Sequence, residues 1–263
     1  SGEGAHARGG GHGSGERAAL TAFPHLLGAI SFPRAMNVIP QSVKDGFVRL
    51  VGPLARAFIR AGVHPNVITT IGTLIVVGAG VAFGLGEIRV GGRLLLASGL
   101  FDILDGQVAR QGGMTTTFGA FYDSTLDRVG ESAVFAGLAI YFERGGVPPA
   151  RETLAVALAL GALAMSLLVS YTRARAEGLG LECRVGIAAR AERILVLGAP
   201  ALLFGPGRGG ALLFWIVVIL ALATTVTVVQ RVVHVARIAG AAPRPMPKRE
   251  TLPGVGAARR KGH

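Results

Sequence analysis

The sequence predicts an all-α, polytopic membrane protein with six transmembrane helices preceded by an interfacial amphipathic helix. Three observations predict it. The chain of 263 residues is 51% hydrophobic and only 16% charged, whereas soluble domains carry about 25% charged residues. Its apolar residues are gathered into runs near the ~20 residues that cross a hydrocarbon layer. Those runs are joined by short polar or Gly/Pro-rich turns at 84–92, 143–149 and 205–210. A single cysteine, Cys183, excludes a disulfide scaffold and a zinc-finger or iron–sulfur site. The apolar content excludes a disordered chain. A net charge of +12 points to an anionic partner, nucleic acid or a membrane surface. The apolar runs choose the membrane, so no nucleic-acid partner is expected.

Taken in order, residues 1–35 form a Gly-rich tail with scattered His6, His12 and His25 and too few large apolar groups to bury a core. The tail has no signal-peptide pattern, and Met36 reads as a natural start, with the upstream part a tag or extension. From 36 to 62, apolar residues such as Val43, Phe47, Val51, Leu54 and Phe58 recur at helical spacing. Lys44, Arg49, Arg56 and Arg60 sit between them, the pattern of a basic helix lying among anionic headgroups. Six spans follow at about 66–84, 92–112, 117–142, 152–176, 190–206 and 210–236. The fourth and sixth are clear from hydropathy, whereas the second and third contain carboxylates. The membrane domain thus runs over 36–240, and 241–263 is a basic tail. With six spans both termini share a side. From residue 36 onward that side collects 19 Lys and Arg against five on the other. The positive-inside rule places both termini, and the turn near 112–116, in the cytoplasm, the membrane being the cell membrane.

The chemistry lies in the acids. Of five Asp in the chain, four fall within 102–127: Asp102, Asp105, Asp123 and Asp127. All four sit in segments assigned to the membrane, where an Asp at a helix centre costs about 2.5–3.5 kcal/mol and marks function by default. Asp102 and Asp105 share a helical face with Gly106 and Ala109. Gly119, Asp123 and Asp127 step by four and form a stripe on the next helix. A short turn between the two predicts antiparallel neighbours whose faces meet in a four-carboxylate cluster. Hard oxygen donors in that number suit two Mg²⁺, or Mn²⁺, with a phosphate as guest.

Residues 102–127 read D-I-L-D-G-Q-V-A-R, eight residues, then G-A-F-Y-D-S-T-L-D. This resembles the CDP-alcohol phosphotransferase pattern D-x2-D-G-x2-A-R-x8-G-x3-D-x3-D at all of its fixed positions, an agreement whose chance is on the order of 10⁻⁸. The resemblance implies a six-helix membrane fold, usually a homodimer, and attack by an alcohol on the β-phosphate of a CDP-linked lipid, with CMP leaving. It implies that Asp102, Asp105 and Asp123 hold one metal and that Asp102, Asp123 and Asp127 contact a second. Asp127 becomes the general base. Asp105, Gly106, Ala109, Arg110 and Gly119 become the CDP-lipid pocket. The segment H-P-N-V-I-T adds Pro65, Asn66 and Thr69 to it by a further likeness to the family's P-N/D-x-[IV]-T element.

The stretch 170–195 contains S-Y-T-R-A-R-A-E and R-A-E-R. It resembles the signature of the inositol-phosphate branch of the family, bacterial phosphatidylinositol-phosphate synthases and their archaeal ether-lipid counterparts. The resemblance implies inositol phosphate as acceptor, CDP-diacylglycerol or its ether equivalent as donor, and acceptor binding by Arg173, Arg193 and Arg231. Arg173 stands where the bacterial enzymes commonly have Lys, which keeps the charge and changes the donor geometry. The glycerol-phosphate branch usually reads L-D-P-x-A-D-K around the second Asp pair, and this chain reads Y-D-S-T-L-D-R. Two alternatives compete with this assignment: another acceptor within the family, and an ion-coupled transporter. The fixed spacing around the acids disfavours the transporter. Arg128 reads as structural and Glu131, one turn beyond Asp127, as tuning the site or satisfying Arg128. Glycines 72, 78 and 80 read as close helix packing.

Overall fold

The computed structural model of the chain describes residues 41–240. The Gly/His-rich stretch 1–35 and the basic tail 241–263 lie outside the described residues. Among the described residues there are seven α-helices and no strand. They are α1 Gln41–Arg60, α2 Pro65–Gly84, α3 Ile88–Gln111, α4 Thr117–Tyr141, α5 Pro149–Gly178, α6 Arg190–Phe204 and α7 Ala211–Gly240. The compact unit built by these helices ends at Val235.

The helix starts that matter for the site arise from local chemistry. α2 begins with Pro65, whose fixed φ suits a first turn. The His64 ring before it accepts a hydrogen bond from the Asn66 amide at 3.2 Å. α3 ends at Gln111 with Gly112 as its cap, and Gly113 comes next at φ 65°, a left-handed turn that an L side chain resists. Thr116 then caps α4, its hydroxyl accepting from the Gly119 amide at 2.9 Å.

Packing departs from the expected pairing. The turn at 112–116 joins α3 to α4, but the two helices make little direct contact. α2 packs against both, α3 also packs on α6, and α4 on α5. The reason is the small-residue face of α2. A Cβ at Gly80 would strike the Ala133 carbonyl of α4, and one at Gly137 would strike the Gly80 carbonyl. The backbones of α2 and α4 therefore touch, while α3 leans on the other flank of α2, where Gly72 faces Phe101. A cleft is left between α3 and α4 with the first turn of α2 at its base.

A large apolar core joins Phe83 of α2, Leu95 of α3, Leu138 of α4, the Ala155, Ala159 and Ala162 stripe of α5, Leu197 of α6 and Val217 of α7. A smaller cluster sets Val51 and Ala55 of α1 on Ile68, Leu104 and Val108. Arg56 and Arg60 of α1 stay exposed. Leu74, Val81, Leu85, Trp215 and Leu222 are also exposed, the outward apolar surface expected of helices in lipid.

Among the described residues three helices are long and apolar enough to cross a membrane: Pro65–Gly84, Pro149–Gly178 and Arg208–Ala239. α3 and α4 have the length, at 24 and 25 residues, and their acids and arginines dilute the apolar character. α6 has only 15 residues, short of the ~20 that span hydrocarbon.

Candidate active site

The cleft between α2, α3 and α4 is open to the outside. All eight residues expected for the CDP-lipid pocket line it: Pro65, Asn66, Thr69, Asp105, Gly106, Ala109, Arg110 and Gly119. Asp123 lines it as well. Met114, Thr115, Thr116 and Ala120, which were not expected from the sequence, complete the wall. Their signal was the turn itself: a cap threonine and its neighbours at the joint between two site-bearing helices.

Hydrogen bonds between helices fix the wall of the cleft. Thr69 donates to Asp105 at 2.7 Å and to the Pro65 carbonyl at 3.2 Å. Thr70 and the Tyr122 hydroxyl share a hydrogen bond of 2.9 Å, tying α2 to α4. A Cβ at Gly106 would sit 3.0 Å from the Arg110 guanidinium, and one at Gly119 would sit 3.4 Å from Asn66 Oδ1. Both glycines therefore let polar groups of the cleft close in on a helix backbone.

The four carboxylates are near enough to act on one another's charge, but they divide between two settings. Asp105 and Asp123 line the cleft. Asp102 and Asp127 are bridged by the Arg190 guanidinium, which stands 2.5 Å from Asp102 and also pairs with Asp127. Among the described residues no group of three or more acidic, His or Cys side chains stands close enough as arranged to hold a metal. Four like charges repel, and an arginine from the start of α6 draws two of them to itself. The donor chemistry still fits a divalent ion, since the same acids offer hard oxygens. Arg190 was missed as a site residue, although it opens the R-A-E-R motif. Glu192 of that motif accepts from the Ala189 amide at 2.8 Å and so caps α6.

One turn further along both helices, Glu131 pairs with Arg193. Arg128 lies 3.9 Å from Asp127 and 4.0 Å from Glu131, a weaker neighbour of both.

The three arginines expected to bind the acceptor come from three helices. The charges of Arg173 and Arg193 act on Arg231, so the three share one region. Their hydrogen bonds differ from those of an open basic pocket. Arg173 pairs with Glu177 at 2.8 Å, exposed. Arg193 is buried and donates to the Ala188 carbonyl at 2.7 Å. Arg231 is buried and donates to the carbonyls of Val185, at 2.9 Å, and Val169. Thr227 accepts from the amides of Ile187 and Ala188 at 3.3 and 3.2 Å. α7 and α6 thus pin the loop between α5 and α6. Cys183 is buried in that loop, and burial pushes its thiol up while the Arg231 guanidinium pulls the other way.

The profile of the CDP-alcohol phosphatidyltransferase family matches residues 62–229. The chain belongs to that family. Phosphatidylinositol phosphate synthase of Cutibacterium acnes is 42% identical over 202 residues, covering 74% of this chain and 96% of that protein. Archaetidylinositol phosphate synthase of Methanothermobacter thermautotrophicus is 36% identical, covering 73% and 96%. The crystal structure of Mycobacterium tuberculosis phosphatidylinositol phosphate synthase with CDP-DAG bound superposes with a TM-score of 0.63 at 34% identity, covering 71% of this chain and 94% of that one. Another structure of that enzyme is a complex with manganese and citrate. A CDP-alcohol phosphatidyltransferase with three helices able to cross a bilayer is a membrane protein and a transferase.

Proposed function

We propose that this phosphatidyltransferase makes phosphatidylinositol phosphate from CDP-diacylglycerol and inositol phosphate, releasing CMP. The observation that carries the reading is the cleft: every residue expected to hold the CDP-lipid lines one cavity, with Asp123 on its wall and Arg190 bridging Asp102 and Asp127 beside it. The basic cluster of Arg173, Arg193 and Arg231 supports an acceptor that is itself a phosphate dianion. The similarity to the two inositol-phosphate synthases supports the same acceptor.

Asp102, Asp105, Asp123 and Asp127 would hold two Mg²⁺, or Mn²⁺, and these would offset charge on the pyrophosphate. The chain's own groups do the rest. The first turn of α2 and the Gly106/Gly119 surfaces let the nucleotide and its phosphates approach the helix backbones. Thr69 fixes Asp105. Asp127 takes the proton of the attacking hydroxyl, whose oxygen bonds to the β-phosphorus as the bond to the CMP oxygen breaks. Arg173, Arg193 and Arg231 orient the acceptor phosphate. A guanidinium at position 173 presents a fork where a lysine presents a point charge.

In the membrane, α1 lies in the interface and α2–α7 cross it, with local thinning accommodating the short α6. The site and both termini face the cytoplasm of the cell membrane, and the protein works as a homodimer. The archaeal relative favours a second donor, the ether-linked lipid, which carries the same CDP headgroup into the same cleft. Incubation of purified protein with CDP-diacylglycerol, Mg²⁺ and inositol phosphate, with mass analysis of the extracted lipid, tests the reading. The expected product is phosphatidylinositol phosphate; a lipid carrying any other headgroup overturns the acceptor assignment.

A further inference from the structure

The helix of the acids and the helix of the R-A-E-R motif are joined by two successive ion pairs. Asp127 and Glu131 are one turn apart on α4, and Arg190 and Arg193 one turn apart on α6. Asp127 meets Arg190, and Glu131 meets Arg193. The two rungs differ in their surroundings. The first is partly open, with 20% of the Arg190 side chain and 17% of Asp127 exposed. The second is closed, at 7% and 8%. Its cavity is walled by apolar groups, Val76, Leu95, Val134 and Ile194 among them.

The closed rung is also the better anchored. Glu131 accepts a further hydrogen bond from Ser166 of α5 at 3.2 Å. Arg193 gives its other terminal nitrogen to the Ala188 carbonyl at 2.7 Å, the last stretch of loop before α6. One carboxylate therefore links α4, α5, α6 and the loop pinned by Arg231 and Thr227. A buried ion pair is a poor device for stability alone, since apolar groups of similar volume commonly do as well. A carboxylate inside a membrane helix marks a functional task. The task legible here is register: with Glu131 and Arg193 locked, Arg190 falls opposite Asp127 and the loop falls beside Arg231.

We propose, resting on the acceptor reading above, that Glu131 is a positioning residue for the acceptor side of the site. It acts through Arg193 by holding the first turn of α6 against the catalytic helix. It does not touch the substrates.

The test is steady-state kinetics of the full-length protein in detergent, with CDP-diacylglycerol and inositol phosphate varied separately. Glu131→Gln is expected to raise the KM for inositol phosphate about tenfold and to leave the KM for CDP-diacylglycerol within about twofold. Glu131→Asp, which restores the charge, recovers most of the loss. Ser166→Ala keeps both charges and gives a smaller effect of the same sign; it carries the test if Glu131→Gln does not fold. Combining Glu131→Gln with Arg193→Gln adds little to Arg193→Gln alone, because the two act as one unit. Parallel rises in both KM values, no recovery in Glu131→Asp, or additive losses in the double variant would overturn the proposal. Wild-type turnover with a different acceptor overturns the function proposed above instead, and the same KM split, measured on that acceptor, still decides Glu131.

Discussion

Two glycines on one helix, a half-turn apart, give opposite expectations when each is changed to alanine. At Gly80 the added methyl would meet the Ala133 carbonyl of α4, a backbone group that cannot rotate away. At Gly78 the nearest group is the end of the Leu94 side chain, 3.8 Å off, ordinary contact. Forcing a methyl into a packed contact costs about 1–3 kcal/mol, and a rigid obstacle puts Gly80→Ala near the upper end. A domain of this size shifts Tm by about 2–4 °C per kcal/mol, so the loss is about 6–12 °C. Gly78→Ala adds no clash and relieves a helix of glycine's entropy, worth about 0.5–1 kcal/mol, so its Tm holds or rises slightly. Thermal unfolding of the purified variants in one detergent, at one scan rate, measures both. Gly80→Ala also lowers turnover below its Tm, because α2 carries Thr69 and α4 carries Asp123 and Asp127. Equal Tm values for the two variants would refute the backbone contact on which the cleft geometry depends.

The site itself sets further outcomes. Asp123→Asn abolishes CMP release and removes Mn²⁺ binding measured by calorimetry, with Tm in chelator unchanged within a few degrees; retained Mn²⁺ binding would take Asp123 out of the metal set. Arg190→Gln frees Asp102 and Asp127 from their cation, and because a charged hydrogen bond is worth about 1.5–3 kcal/mol, Mn²⁺ binds at least about tenfold more tightly in the absence of substrates. Unchanged or weaker Mn²⁺ binding would contradict competition at that position. Cys183 is buried with its thiol pushed up, so less thiolate forms near neutral pH and alkylation by iodoacetamide is slow in the folded protein. It becomes complete after SDS denaturation; rapid native labelling would contradict the pinned loop.

Much of the site was legible because its residues are fixed by spacing along two helices. The stripe Gly119–Asp123–Asp127 and the face of Asp102, Asp105, Gly106 and Ala109 needed only helical periodicity, and Arg110 came from the family resemblance. Pro65, Asn66 and Thr69 were legible through the likeness of H-P-N-V-I-T to the family's element. What the spacing could not reveal is which helix lies between which. The turn at 112–116 suggested that α3 and α4 pair directly, whereas the glycine face of α2 brings that helix between them and leaves the cleft. Nor could spacing say where charges settle: Arg190, 63 residues beyond Asp127, reaches two of the acids only in the folded chain. Glu131 showed itself as one more member of the stripe, and its partner Arg193 became visible only with the packing of α6. Of the spans, the three most apolar helices stand out by composition. α3 and α4 are diluted by their acids and arginines, and α6 is short.

The most direct measurement of the central claim is CMP release by the purified protein with CDP-diacylglycerol and Mg²⁺, comparing inositol phosphate, inositol and glycerol 3-phosphate. Release that depends on inositol phosphate, and is lost on chelation, is the predicted result. Release with glycerol 3-phosphate or inositol in its place would contradict the acceptor side of the account.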